Sequence, residues 1–177
     1  RKLRFLGKAL RMPTSGYHSY DNQNLNMVFG SVQLDSSFCI RLLNENDDLH
    51  VNALGFYRHF IEHGIRLKIS TISIAEYCVK GNLDELPLRN LEVVPFNANH
   101  AVKAGFFARL SFEKKGSLNL GSRLIIPNDA KLFAQADVQS DVSHFATSDV
   151  ESMKLHSLIK SESRIGFEII NIRNPFN

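Results

Sequence analysis

At 177 residues the chain is long enough for one domain with its own core, and its 44% hydrophobic and 22% charged content is that of an ordinary globular protein. No apolar run approaches the roughly 18–20 residues that span a bilayer, and the basic opening RKLRFLGKAL is too short and interrupted in its apolar part for a secretory leader, so a cytoplasmic setting away from membranes is expected. The net charge of +3 is uneven: residues 1–26 carry Arg1, Lys2, Arg4, Lys8 and Arg11 against Asp21 alone, leaving −1 for the rest, which speaks against a bulk polyanion binder and confines any basic footprint to local patches.

The extension ends in PTSGYHSYDNQNLN, a loop-like composition, and Met27 opens the patterned part. The reading is a basic and polar N-terminal extension over residues 1–26 and one domain over residues 27–177. Leu3, Leu6 and Leu10 put an apolar stripe among the basic residues, which suits either a passive tail or an arm for RNA or a partner groove. VFGSVQLD then reads as a first strand leading to Asp35, and FCIRLLN as a short helix. Asp47 or Asp48 can cap the helix DLHVNALGFYRHFIEH, where Val51, Leu54, Tyr57 and Ile61 recur at helical spacing and Gly64 supplies the stop. RLKISTIS reads as a strand with Leu67, Ile69, Ile72 and Ile74, followed by a helix over IAEYCVKG.

LEVVPF is a strand ended by Pro95, and NANHAVKAGFFARLSFEKKG a long helix with Val102, Phe106 and Leu110 on one side. RLIIPNDAKLFAQADV passes from an apolar run into a helix, with Pro127 at its start. DVSHFATSD is a strand, VESMKLHSLIKS a helix and IGFEIINI the last strand. Strands alternating with helices predict a parallel sheet covered on both faces. Cys39 and Cys78, both in apolar surroundings, read as reduced buried thiols.

In such a fold ligands gather at the carboxyl ends of the strands. Four carboxylates stand at or just past such ends: Asp35 closes SVQLD, Glu76 opens the helix after KISTISIA, Asp129 sits in PND at a helix start, and Asp149 follows HFATS. Helix starts favour Asp and Glu as caps, so each acid alone carries little. Together they would repel by roughly 1–4 kcal/mol per close pair, while helix N-termini offset only about 0.3–1 kcal/mol each. A hard divalent cation with oxygen ligands relieves this, and such an ion activates water and steadies phosphoryl charge.

Order and context sharpen the pattern. LDSSFCI carries hydrophobic-Asp-Ser-Ser, STISIAEY carries Ser-x-x-x-x-Ala-Glu-Tyr, NDAKLFAQA carries Asn-Asp-Ala before an alanine-rich helix, and ATSD carries Thr-Ser-Asp. These four in this order resemble the PIN-domain family over roughly residues 28–172. The resemblance implies a three-layer α/β/α sandwich around a central, mainly parallel sheet and a metal-dependent nuclease, mostly a ribonuclease. Many relatives are bacterial toxins of the virulence-associated protein C type, each silenced by a cognate antitoxin and commonly dimeric. By motif, Asp35, Glu76 and Asp129 resemble the core metal ligands, and Asp149 the fourth acid that helps hold a second metal or its water shell. Ser36 or Ser37 resembles the small polar residue supporting the first acid, and Thr147 or Ser148 the polar residue before the fourth.

Two departures stand out. The stretch between Glu76 and LEVVPF is short for the helix pair that flanks the RNA path and meets the antitoxin in toxin-type relatives. After Asp149, Glu151 can fill the place of a further acid, but Ser152 and Met153 replace the aromatic. The expectation is therefore a Mg²⁺- or Mn²⁺-dependent endoribonuclease cutting RNA phosphodiesters, the toxin of a pair, with an antitoxin and a second copy of itself as implied partners. The alternative is a PIN-like domain that binds RNA or protein without cutting; a phosphatase or flap-type DNA nuclease ranks below both, since no basic arch helix is visible.

Other residues have blander readings beside functional ones. His59 and His63 have zinc-compatible spacing but no third ligand nearby, which favours a solvated helical face. EKKG at 113–116 with Arg123 suits phosphate contacts or a charged helix end, and Lys131 suits a scissile phosphate or solvent. Phe106, Phe107, Phe112 and Phe133 can stack bases, but helical spacing favours core. No Ser–His–Asp signature, P-loop or dinucleotide fingerprint is present.

Overall fold

The alternation of periods resolves, in a computed structural model that describes residues 30–114 and 125–176, into five strands and six helices. The strands are β1 (Ser31–Leu34), β2 (Arg66–Ser70), β3 (Leu91–Val94), β4 (Val142–Thr147) and β5 (Glu168–Asn171). The helices are α1 (Ser36–Leu43), α2 (His50–Glu62), α3 (Thr71–Tyr77), α4 (Ala98–Glu113), α5 (Ile125–Val138) and α6 (Val150–Glu162). The sheet order is β3-β2-β1-β4-β5 and every pairing is parallel. The extension over residues 1–26, with its leucine stripe, lies outside the described residues, as do Met27, Val28 and Phe29 at the start of the expected first strand.

Strand period 2 divides the core into two layers. Val32 and Leu34 of β1 and Leu67 and Ile69 of β2 face α1 and α2, meeting Phe38, Cys39, Leu42, Ala53, Tyr57 and Phe60. On the other side α4, α5 and α6 bring Phe107, Phe133, Leu155 and Ile159 against Phe145 and Phe167. Helices thus cover both faces, giving a three-layer α/β/α sandwich. Crossovers that fill one side of β1 with β2 and β3, and then the other with β4 and β5, place a switch point between β1 and β4. At such a point the loops diverge and leave a crevice at the carboxyl edge.

Several local expectations shift. The strand expected over RLKISTIS stops at Ser70, whose hydroxyl accepts the Ile72 N–H at 2.9 Å and starts α3 there. Ile72 and Ile74 are therefore helical, since a side-chain cap outweighs the strand preference of branched residues. Glu76 consequently lies in the last turn of α3 and does not open it, and Asp129 lies in the second turn of α5. Likewise α1 begins at Ser36, capped by Asp35 itself. Neither Asp47 nor Asp48 is the N-cap of α2: that position is Leu49, whose N–H bonds to Asp47 Oδ1 at 2.9 Å. The buried stripe of α2 is Ala53, Tyr57 and Phe60, leaving Val51 77% exposed, and α4 buries His100, Ala104, Phe107 and Ser111 while Val102 is 78% exposed. Cys39 is buried as expected but Cys78 is exposed.

Gly64 ends α2 with φ 65°, the left-handed geometry that a residue without Cβ adopts freely. Pro127 falls in the first turn of α5, where a missing N–H leaves no helical bond unmade. Between α3 and β3 stand only two single 3₁₀ turns, Leu83–Glu85 and Leu88–Asn90. Among the described residues, no helix is long and apolar enough to cross a membrane.

The layer beneath β4 depends on an aromatic cluster, with Phe133 at 5.1 Å from Phe145, edge to face, and 5.6 Å from Phe167. Phe133→Ala is expected to lower the unfolding free energy by about 3–5 kcal/mol, read from urea titration. A loss below about 1.5 kcal/mol would mean that this layer collapses onto the cavity and is not close-packed.

Candidate active site at the carboxyl edge

Asp35 leaves β1 in an extended conformation (φ −75°, ψ 159°) and caps α1, its Oδ1 accepting the Ser36 N–H at 2.8 Å. Its Oδ2 accepts hydroxyls from Ser37 at 2.6 Å and Thr147 at 2.8 Å. The carboxylate is 4% exposed, and burial raises its pKa above the ordinary value, with the nearby Asp149 charge adding; the hydroxyls and the Ser36 N–H oppose the rise. The two serines after Asp35 are thus its immediate donors. Ser36 also reaches across to α3, its hydroxyl donating to Glu76 Oε2 at 2.7 Å.

Glu76 is held from its other side by the Asn128 amide, which donates to Oε1 at 3.1 Å. Burial raises its pKa, Asp35 adds to this, and Lys131 lowers it. The Lys131 ammonium donates to Asn128 Oδ1 at 3.4 Å, which orients that amide toward Glu76. Asp149 caps α6 through the Glu151 N–H at 2.8 Å, and its own N–H donates to Thr147 Oγ1 at 3.0 Å. Of the two polar residues before it, Thr147 bonds the first acid by its side chain. Ser148 contributes backbone, its N–H donating to Ser37 Oγ at 3.0 Å. Glu151 pairs with Lys154 at 2.7 Å on the first turn of α6.

Asp129 differs from the other three. It is 8% exposed, and its Oδ2 is buried without a hydrogen-bond partner among the described residues. Burial, followed by the charges of Asp35, Asp149 and Glu76, pushes its pKa up to about 8, against an opposing hydrogen bond from Ser152. The charges of Asp35, Asp149 and Glu76 thus all act on Asp129. As the side chains stand, no three His, Cys, Asp or Glu among the described residues are grouped closely enough to hold an ion. The donor chemistry still fits a hard divalent cation: all ligand atoms are carboxylate oxygens, and one is buried with nothing to receive.

Ser152, Asn128 and Arg173 were not among the residues marked from the sequence. Ser152 sits one helical turn after Asp149 and Asn128 directly precedes Asp129, so both had a positional signal. Arg173, whose Nε donates to the Ser148 carbonyl at 2.6 Å, had none. The remaining candidates fall to structure: the His59 and His63 rings stack with centroids 4.1 Å apart, and His63 Nδ1 lies 2.8 Å from the His59 carbonyl. Phe107 and Phe133 are fully buried core, Phe106 lies under Lys103 and Arg109, and Phe112 is exposed. Lys114 pairs with Glu162 at 3.4 Å, whereas Lys115, Gly116 and Arg123 lie outside the described residues. An open groove of about 560 Å³ adjoins Glu76, walled by Ile40, Leu43, Tyr77 and Val79.

No protein-family model matches the sequence, and no curated protein does. Solved structures do resemble the fold. A DNA-bound VapBC complex from Salmonella typhimurium contains a chain with TM-score 0.52 and 20% identity, covering 80% of this chain and 98% of that one. VapBC2 from Rickettsia felis, bound to a promoter DNA fragment, matches with TM-score 0.52 and 21% identity over 79% and 97%. At that identity the likeness establishes the fold alone: a three-layer α/β/α sandwich like that of the matched chains in those VapBC complexes.

The raised pKa of Asp129 has a stability consequence. Its folded value, about 8, lies above the ordinary 3.8, so the folded state holds the proton more tightly. That contribution is complete below about pH 4 and is lost as pH rises through 8. In EDTA, the protein is therefore expected to lose stability between pH 5 and 8, and Asp129→Asn to regain roughly 1–3 kcal/mol at pH 8. Urea midpoints at the two pH values measure this; a variant no more stable than the parent at pH 8 would show that burial and the neighbouring charges do not burden an ionised Asp129.

Proposed function

We propose that this chain is a metal-dependent endoribonuclease and the toxin of a toxin–antitoxin pair. The observation that carries the reading is the buried, partnerless Oδ2 of Asp129, facing the combined charge of Asp35, Glu76 and Asp149 at the sheet's switch point. A protein without a cation to receive would gain by replacing one of these acids. Asp35, Glu76 and Asp129 would hold Mg²⁺ or Mn²⁺, with Asp149 completing the ligand set or its water shell. The ion, when bound, supplies an activated water and charge neutralisation for in-line displacement at a phosphodiester.

The chain's own residues supply placement. Ser37 and Thr147 fix the rotamer of Asp35 and oppose the rise of its pKa, while Ser36 and Asn128 hold the two oxygens of Glu76. Lys131 stands at the Glu76 side as a cation that a substrate phosphate can meet. The likeness to chains of VapBC complexes supports an antitoxin as protein partner, and a homodimer is part of the same proposal. The short 3₁₀ connection after α3 implies that an antitoxin would dock without a helix pair at that place.

Mixed-sequence single-stranded RNA incubated with the protein is expected to be cut with Mg²⁺ or Mn²⁺ and left intact in EDTA, and Asp35→Asn is expected to abolish cutting. Asp129→Asn is expected to keep the fold and weaken Mn²⁺ binding at least about tenfold by calorimetry, the effect usual for losing a direct or supporting contact to a metal. Metal-independent cutting, or cutting that survives in Asp35→Asn, would overturn the assignment. Absence of cutting by folded protein with either metal would leave a PIN-like module that binds RNA or protein.

A further inference from the structure

One cation beside the acidic edge has no part in the arrangement described so far. Arg173 follows β5 in a turn that is fixed on both sides. Ile172 is fully buried, its N–H donates to the Thr147 carbonyl at 3.1 Å, and its carbonyl accepts the Asn52 amide at 3.2 Å. The Asn171 side chain accepts the Arg173 N–H at 3.0 Å, and its carbonyl accepts the Asn174 N–H at 3.2 Å. From this held backbone the side chain crosses to the junction of β4 and α6, where Nε meets the Ser148 carbonyl at 2.6 Å.

Ser148 directly precedes Asp149, and its N–H bonds to the hydroxyl of Ser37 that donates to Asp35. The guanidinium is therefore tied to the same framework that positions the acids. Yet Arg173 is exposed and, among the described residues, pairs with no carboxylate, although Asp149 is the next residue along from its tether. A guanidinium carries five N–H donors in a rigid fork and a charge that is never lost at physiological pH. With Nε engaged, both terminal nitrogens remain, the pair suited to two oxygens of one phosphate.

We propose that Arg173 binds an RNA phosphate on the β5 side of the acidic cluster, the phosphodiester neighbouring the one cut. This rests on the ribonuclease reading above and adds to it a substrate-positioning residue. The offset follows from the sheet: Arg173 stems from the end of β5, two strands or about 10 Å from β1 at about 4.8 Å per strand, and its guanidinium reaches back only to the β4–α6 junction, one strand short of Asp35. A contact at that distance holds the chain without touching the reacting phosphorus. Its loss raises KM and leaves kcat nearly unchanged.

The test uses the full chain carrying Asp129→Asn, to prevent cutting, with fluorescent mixed-sequence single-stranded RNA in Mg²⁺ and graded salt. Removing one phosphate contact lowers the slope of log K against log salt by about 0.7, and weakens binding about five-fold at 0.1 M salt. Arg173→Gln is expected to show both changes, and Arg173→Lys to restore the slope; in the active protein Arg173→Gln is expected to raise KM with kcat within about two-fold. An unchanged slope in Arg173→Gln, whatever its melting temperature, or a slope that Lys does not restore, would overturn the proposal and leave Arg173 as an anchor of the C-terminal turn. Failure of the Arg173-containing protein to bind RNA at all, with no cutting by the unmutated chain, would instead remove the ribonuclease reading and this inference with it.

Discussion

The structure depends on holding one carboxylate where charge is costly. Asp35 ends the central strand, 4% exposed, between a sheet whose neighbouring positions are fully buried and a helix that starts on its side chain. Desolvating a carboxylate there costs several kcal/mol without compensation, and the compensation is local: three donors, from Ser36, Ser37 and Thr147. Each donor has a second duty. Ser36 ties Asp35 to Glu76, Ser37 receives the N–H of Ser148, and Thr147 receives the N–H of Asp149. The hydrogen bonds that allow one buried acid thereby set the positions of two others.

Asp129 shows what that framework leaves unsolved. It comes from α5, which reaches the edge from the second core layer, and its only opposing hydrogen bond is from Ser152. With no donor to its buried Oδ2 among the described residues, it bears burial, and then the repulsion of the cluster, as a raised proton affinity. Three acids held by several donors and a fourth with one oxygen left unpartnered among the described residues make a site that is electrostatically incomplete. Local destabilisation of this kind is characteristic of sites arranged for a ligand and not for the fold alone. The second core layer must absorb the cost, and the aromatic packing of Phe133, Phe145 and Phe167 directly beneath supplies the burial to do so.

The class of fold was legible because its signal is repetitive: strand and helix periods alternate along the chain, and parallel sheets accept little else. Register at the junctions was not. STIS reads as strand on residue type, and only the Ser70 hydroxyl reaching Ile72 N–H makes it helix. The apolar stripes of α2 and α4 were misplaced by a residue or two because Ala53, His100 and Ser111, small or polar, occupy buried positions while Val51 and Val102 face water. The four acids were legible through their neighbours in sequence. Asn128, Ser152 and Arg173 were not assigned roles, since their partners Glu76, Asp129 and Ser148 lie in other elements, and pairing across 52 or 25 positions leaves no periodic trace. The cap on Asp149 and the Ser36 and Ser37 donors on Asp35, being one or two positions away, did leave one.

Sheet order turns these separate contacts into one arrangement. Along the carboxyl edge from β2 to β5 come Glu76 with Asn128 and Lys131 beside it, then Asp35 from the central strand, then Asp149, then Arg173. Cations thus stand at both ends and carboxylates in the middle. Lys131 lowers the pKa of Glu76 from the outer side, and under the ribonuclease proposal Lys131 and Arg173 would present positive charge on either side to an extended polyanion crossing the edge. Under that proposal a chain of phosphates would be repelled at the centre until a cation is bound there and attracted at both flanks. A single small anion would meet only one flank or the other, so under the proposed ribonuclease reading the spacing of charge along the sheet edge would favour an extended substrate.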